Sequence, residues 1–184
     1  MAGKGEFWDE HHLYCLWDDR LWLGLANQLL YMEFKIPKYK QGADKLMDMI
    51  LQHNGNPRRI ADYKGVCWRA QEHDYNNTVT NALLMCLVGR MLFIDHDPVY
   101  LEMLREQHRW LFKQPGIYIN CSPKNIFSDW LKEGDNWTYN QAMQLEGLAY
   151  LVVFDDEALV GEYMNDLQRL LIGTINYFKV SDKY

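Results

Sequence analysis

The sequence predicts an all-α protein made of three antiparallel helical hairpins, arranged as a layered array or toroid. Apolar residues recur at spacings of three and four along six segments, which is the pattern of amphipathic helices. The hairpins also repeat, because Asp19, Thr80 and Asn140 fall in register at offsets of 61 (80 − 19) and 60 (140 − 80) residues. We expect one repeat domain over residues 8–184, after a leader or tag over residues 1–7.

The first predicted hairpin follows from two apolar series on either side of Pro37. The two series are Leu21, Leu25, Leu29 and Met32, then Leu46, Met47, Ile50 and Leu51. Each series keeps one face of a helix apolar. Because proline disrupts a continuing helix, Pro37 marks the boundary between the two helices.

The second and third hairpins are predicted from the same spacing. The second pair covers about 78–94 and 98–112, and the turn-like "DHDP" between them places Pro98 in the first turn of its helix. The third pair covers about 139–154 and 156–177, with Asp155 or Asp156 as the N-cap of its second helix. Six helices therefore account for most of the chain.

A polar cluster opens the first helix of each hairpin. The clusters read "WDDR", "NNTVTN" and "WTYNQ", and apolar turns follow each of them. Because the hairpins repeat, we expect these openings to gather on one rim. The connections between hairpins, 53–77 and 113–136, are long, polar and aromatic, and such loops often carry function. The sequence therefore predicts a functional site at this rim.

The composition disfavours two classes of partner. A formal net charge of -6 provides no basic surface for nucleic acid or for an anionic membrane. No stretch reaches the roughly 20 uncharged apolar residues of a membrane span. The aromatic share of 14% favours a neutral, amphipathic ligand instead.

Neither the cysteines nor the histidines have the spacing of a metal site. No CxxC or HExxH pattern occurs, so we expect no metal and no cofactor. Free buried thiols are expected at Cys15, Cys67, Cys86 and Cys121. Sequons begin at Asn76, Asn120 and Asn136, which favours secretion slightly.

Three segments at the repeat spacing share features with one enzyme family. In chain order they are "WDDRLWLGLANQLLY", "NNTVTNALLMCLVGRML" and "WTYNQAMQLEGLAYL". Together they resemble glycoside hydrolase family 76, the endo-α-1,6-mannanases, over about 16–178. The aspartate pair of the family is matched by Asp18 and Asp19, its "NAITN" element by 77–81 and its "TYNQG" element by 138–141.

Two features depart from the family pattern. The last residue of the third motif is glycine in the family, whereas this chain has Ala142. The family builds a full (α/α)6 toroid from about twelve helices, so six helices supply half of such a toroid. Part of the family's cleft wall would then be missing unless another copy provides it, and we therefore expect a homodimer.

The resemblance implies a retaining mechanism with Asp18 as the nucleophile and Asp19 as the general acid/base. Such enzymes hold two carboxyl groups about 5 to 5.5 Å apart, and the acid/base requires a raised pKa. The alternative reading is structural. Aspartate is a favoured N-cap, and in a first turn it complements the helix dipole for about 0.3 to 1 kcal/mol.

Aromatic and amide side chains near the helix starts are the expected substrate contacts. They are Trp68, Asn81, Trp137, Tyr139, Asn140 and Gln141. The aromatic members would stack on pyranose faces. The amide members would bond sugar hydroxyls, or else tie the helix starts to loops. Trp22 falls within a helix body and is expected to pack between hairpins.

Two functions of different classes fit these residues. The first is a glycoside hydrolase-like domain acting on a mannan-like oligosaccharide or polysaccharide, which by the resemblance would be secreted or associated with the cell wall. The second is a non-catalytic glycan-binding or scaffold half-toroid. A helical-repeat module that binds proteins also fits six helices, but it leaves the aromatic polar rim unexplained.

Overall fold

Six α-helices form three hairpins, which confirms the predicted all-α class. The computed structural model describes residues 16–54, 65–68, 76–113, 125–129 and 136–179, and these ranges contain no β-strand. The helices are α1 Trp17–Phe34, α2 Pro37–Asn54, α3 Thr78–Asp95, α4 Pro98–His108, α5 Thr138–Phe154 and α6 Glu157–Phe178. The predicted leader lies outside the described residues, as do Cys15, Cys121 and the sequon at Asn120.

The first two hairpins turn in the same way. Lys35 and His96 end α1 and α3 in the left-handed conformation, with φ of 55° and 54°. Each donates its backbone N–H to a carbonyl of the last helical turn. Pro37 and Pro98 then begin the next helices, so the predicted boundaries at both prolines are confirmed. The third turn differs, because Asp155 ends α5 in an extended conformation, with φ of -92°, and Asp156 takes the N-cap position of α6.

Helix α3 forms the centre of the molecule. It packs against α1, α4 and α5, while α2 packs on α1 and α6 packs on α5. Every residue from 78 to 89 is buried, and Cys67 and Cys86 are buried thiols. By length and composition α3 would be able to cross a membrane, but 78% of it is buried inside the protein. It is therefore explained as a core helix.

One guanidinium group joins three helices. Arg90 on α3 donates from Nε and Nη2 to the carboxylate of Glu146 on α5, at 2.6 Å and 3.0 Å. Its Nη1 also donates to the backbone oxygen of Leu25 on α1, at 3.3 Å. Burial alone would raise the pKa of Glu146, but the bonds with Arg90 hold that pKa below its ordinary value. This paired charge fixes α1 and α5 on either side of α3.

The end of the fourth helix departs from the prediction. Helix α4 ends at His108, and a π-helical turn covers Arg109–Lys113, where the sequence predicted a regular helix to about residue 112. Trp110, Leu111 and Phe112 are all buried in this turn. A regular α-helix would spread three successive side chains over about 200° of its surface. The wider turn therefore allows all three to pack in the core.

Two helix faces expose apolar side chains, one on the first hairpin and one on the last. The exposed residues are Trp22, Leu29 and Leu30 on α1, and Leu171, Ile172 and Ile175 on α6. Trp22 is 41% exposed, so the prediction that it packs between hairpins is wrong. No described helix covers that side of α1.

We predict that the chain associates through these faces, with a homodimer as the first product. Apolar patches of this kind rarely stay bare in soluble monomers. Static light scattering at high protein concentration should therefore give the mass of two chains. The double variant Ile172→Lys, Ile175→Lys should return the mass of one chain. A parent protein that stays monomeric at every concentration would contradict this prediction.

Candidate functional site

Two buried amide side chains hold short loop segments against the helix starts. The backbone N–H of Val66 donates to Asn81 Oδ1 at 2.7 Å, and Asn81 Nδ2 donates to the Val66 oxygen at 2.9 Å. Gln141 makes the same pair of bonds with Phe127, at 2.8 Å and 2.6 Å. Val66 and Phe127 are buried, so the two amides satisfy backbone groups that water cannot reach. We call the segments 65–68 and 125–129 the return loops.

Each return loop also bonds the start of the preceding odd-numbered helix. The Trp17 N–H donates to the Trp68 oxygen at 2.9 Å, and the Thr78 N–H donates to the Asp129 oxygen at 3.0 Å. The two donors are 61 residues apart (78 − 17), so the repeat extends to single hydrogen bonds. The starts of α1, α3 and α5 therefore lie together with both return loops, and we call this surface the rim.

The aspartate pair lies in the first turn of α1 but does not cap it. Leu16 takes the N-cap position and makes no side-chain cap bond, so Asp18 and Asp19 are the second and third helical residues. By contrast, Asn77 caps α3, because its Oδ1 accepts from the Thr80 N–H at 3.3 Å. The capping interpretation of the pair is therefore wrong, while their contribution to the helix dipole remains.

The two carboxylates have different surroundings. Asp18 is half-buried and its Oδ1 accepts a hydrogen bond from Trp68 Nε1 at 3.2 Å, whereas Asp19 is exposed. Burial raises the pKa of the Asp18 carboxyl, and the negative charge of Asp19 raises it further, while the bond from Trp68 opposes the rise. A retaining mechanism requires a raised pKa at its acid/base, and in this structure a raised pKa is found at Asp18, the expected nucleophile.

An aromatic pair lies beside these carboxylates. The rings of Trp137 and Tyr139 stack with centroids 6.0 Å apart and planes 6° apart, and both side chains are exposed. The pKa of Tyr139 is raised by burial, then by the charges of Asp129 and Asp18. The phenol of Tyr139 is therefore close enough to both carboxylates to sense their charge. The start of α5 thus presents the outer faces of a stacked aromatic pair on the same rim as the start of α1.

Asp129 is a rim residue that the sequence analysis missed. Its Oδ1 accepts from Asn140 Nδ2 at 3.2 Å. Asp129 follows Trp68 by 61 residues (129 − 68), so the two occupy equivalent positions of the repeat. That offset was the available signal, because Trp68 was already an expected contact.

The six expected contact residues fall into two groups. Those at the surface of the rim, half-buried or exposed, are Trp68, Trp137 and Tyr139. Those with 0% exposure are Asn81, Asn140 and Gln141. The buried amides bond the return loops, which is the second of the two roles that the sequence left open. In this structure they hold the rim together.

A group of His, Glu and Asp side chains lies between α4 and α6. The ligand atoms of His108, Glu162 and Asp166 lie within 4.8 Å of one another. Lys113 Nζ lies 2.9 Å from Glu162 and 2.8 Å from Asp166. Burial acts to raise the pKa of the Asp166 carboxyl, but its bonds with His108 and Lys113 hold that pKa below its ordinary value. A metal ion would have to displace this ammonium group. The cluster is therefore an ion-pair network between the helices.

Comparison with known proteins gives one significant curated relative. No family profile matches the chain. The mannan endo-1,6-alpha-mannosidase DFG5 of Saccharomyces cerevisiae is 30% identical over 114 residues, which are 58% of this chain and 24% of that protein.

Solved structures share the fold at low sequence identity. The Lin0763 protein of Listeria innocua matches with a TM-score of 0.72 and 20% identity, over 90% of this chain and 47% of that chain. The family 76 alpha-mannanase BT2949 of Bacteroides thetaiotaomicron matches with a TM-score of 0.72 and 15% identity, over 90% and 45%. A family 76 glycoside hydrolase from a bovine strain of the same species gives 0.66 and 17%, over 88% and 35%.

These matches cover only part of each relative. The chain spans less than half of the solved structures and 24% of the yeast protein. Its three hairpins correspond to the helical pairs of an α/α toroid. In sequence and in fold, the chain is thus similar to glycoside hydrolase family 76 over about half of the family's barrel.

Proposed function

We propose that the chain is a glycoside hydrolase-like domain that acts on α-1,6-linked mannan by a retaining two-carboxylate mechanism. The observation that carries the proposal is the half-buried Asp18 next to Asp19 at the start of α1, beside the aromatic pair at the start of α5. The similarity to a mannan endo-1,6-alpha-mannosidase and to family 76 structures supports the substrate class.

In the proposed reaction, Asp18 attacks the anomeric carbon and forms a glycosyl ester. The hydrogen bond from Trp68 Nε1 restricts the orientation of its carboxylate. The attacking group is the ionised carboxylate, so the reaction requires a pH above the raised pKa of Asp18. Asp19, exposed at the rim, protonates the leaving oxygen and then takes a proton from the water that hydrolyses the ester.

The aromatic side chains of the rim supply the proposed contacts with sugar. The nearly parallel rings of Trp137 and Tyr139 provide a flat surface for the C–H face of a pyranose. Trp68 lines the same rim while it holds Asp18. Asn81 and Gln141 act through the return loops that they position.

Glycan binding without catalysis is the second candidate function. The exposed, stacked rings of Trp137 and Tyr139 favour it, because an aromatic face binds a pyranose without any catalytic group. The same aromatic surface would then bind mannan, and the aspartates would accept hydrogen bonds from its hydroxyl groups. Activity measurements separate the two candidates.

We predict that Asp18→Asn and Asp19→Asn each reduce cleavage of α-1,6-mannotetraose to background. An amide at position 18 cannot form the glycosyl ester, and an amide at position 19 cannot deliver a proton. Both changes nearly preserve side-chain shape. Product release followed by chromatography is the measurement, with Glu33→Gln at the exposed far end of α1 as the matched control that keeps parental activity.

Two results would decide against the catalytic proposal. Full activity in both variants would remove these aspartates from the mechanism. A parent that binds the tetrasaccharide but never cleaves it would leave glycan binding as the function.

The raised pKa of Asp18 leads to a separate prediction about stability. The pKa of Asp18 lies above 3.8 in the folded chain, so the folded state holds this proton more tightly than the unfolded state. The contribution of this proton to the free energy of unfolding is fully present below about pH 3.8 and is lost as the pH rises through the pKa of the folded state. Asp18→Asn carries no charge and should avoid that loss, so its free energy of unfolding at neutral pH should equal or exceed that of the parent. Urea unfolding across this pH range is the measurement. A variant less stable than the parent, with an unchanged pH dependence, would contradict the prediction.

A further inference from the structure

We propose that Asp129 is a third functional carboxylate of the rim, which accepts hydrogen bonds from the hydroxyl groups of a sugar stacked on Trp137 and Tyr139. In this role Asp129 is a positioning residue, because it holds the sugar against the aspartate pair and takes no part in bond breaking. The inference rests on the proposed function and names a further residue for the same site.

The position of Asp129 is determined by two helices. Its backbone oxygen accepts from the Thr78 N–H at the start of α3, at 3.0 Å. Its carboxylate accepts from Asn140 on α5, at 3.2 Å. Thr78 Oγ1 also donates to the oxygen of Ser128, at 2.6 Å, which fixes the residue before it. The carboxylate is thus held between the second and third hairpins.

Asp129 lies on the side of the rim that carries the aspartate pair. Asn140, which donates to the Asp129 carboxylate at 3.2 Å, directly follows Tyr139 in the first turn of α5. Burial raises the pKa of Tyr139, and the negative charges of Asp129 and Asp18 raise it further. Tyr139 also forms half of the stacked aromatic pair. A pyranose lying on these rings would therefore have carboxylates at its edge.

Asn140 adds a second polar group to this subsite. Its side chain is 0% exposed, and its Oδ1 has no hydrogen-bond partner among the described residues. Other buried acceptors of the described residues, such as Gln28 Oε1 and Gln144 Oε1, share this state, but the Asn140 amide also bonds a carboxylate of the rim. The acceptor belongs to the same amide that donates to Asp129, so the polar groups of Asn140 and Asp129 form one cluster at the start of α5.

The chemistry of this subsite suits a neutral sugar. An ionised carboxylate has about four acceptor positions on its two oxygens, so Asp129 can accept from a hydroxyl group while it keeps the bond from Asn140, and bonds to a charged acceptor are stronger than neutral ones. An anionic ligand would be repelled by Asp18, Asp19 and Asp129. The subsite therefore selects a polyhydroxylated ligand without charge, as a mannoside is.

Asp129→Asn tests the inference while keeping the surrounding structure. The amide oxygen of asparagine can still accept from Asn140, and the backbone bond to Thr78 does not involve the side chain. We expect the KM for α-1,6-mannotetraose to rise about tenfold or more, with kcat changed by no more than about threefold. The control is Asp48→Asn, an exposed aspartate on α2, which should leave both constants unchanged.

Two further measurements make the result independent of turnover. Calorimetry in an Asp18→Asn background should give a dissociation constant for the tetrasaccharide about tenfold weaker when Asp129→Asn is added. NMR titration of ¹³C-labelled tyrosine, assigned with Tyr139→Phe, should show the pKa of Tyr139 falling in Asp129→Asn.

The outcomes separate this inference from the proposed function. Unchanged KM and dissociation constant in Asp129→Asn, with cleavage intact, would overturn the role of Asp129 and leave the hydrolase proposal standing. A parent that neither binds nor cleaves the tetrasaccharide would overturn both. If Asp129→Asn instead lowers both kcat and the melting temperature, Asp129 has a structural role.

Discussion

The rim depends on the hydrogen bonds that the side-chain amides of Asn81 and Gln141 make with the return loops. Each amide satisfies both the N–H and the oxygen of one buried loop residue, Val66 or Phe127. A buried polar group left without a partner costs about 1 to 3 kcal/mol, so a return loop cannot separate from its helix without a large loss. Held in this way, one loop brings Trp68 to Asp18 and the other brings Asp129 to Asn140.

The fold was predictable because its signals are local. Spacings of three and four locate the helices, and Pro37 and Pro98 locate two of the turns. The π-helical turn at Arg109–Lys113 was not predictable in this way, since it depends on how Trp110 and its neighbours pack against other helices. The exposure of Trp22 was missed for a similar reason, because helix periodicity does not reveal whether another helix covers a face.

The site was predictable only in part. The aspartate pair and the aromatic residues stand out in the sequence, whereas Asp129 becomes notable only when the two return loops are placed in register. An amide at a helix start looks the same in sequence whether it bonds a sugar or a loop, and only the burial of Asn81 and Gln141 separates the two roles. The rim also keeps Asp18 half-buried near another negative charge, at some cost in stability that a catalytic role would explain.

Hydrogen exchange at the backbone N–H of Val66 tests the role of these side-chain hydrogen bonds most directly. Asn81→Leu keeps a side chain of similar size and removes the bonds to the loop. The account predicts that exchange at Val66 becomes about tenfold faster or more, that the indole N–H resonance of Trp68 shifts, and that helix content by circular dichroism is retained. Unchanged exchange at Val66 and an unshifted Trp68 resonance in a folded Asn81→Leu variant would contradict it.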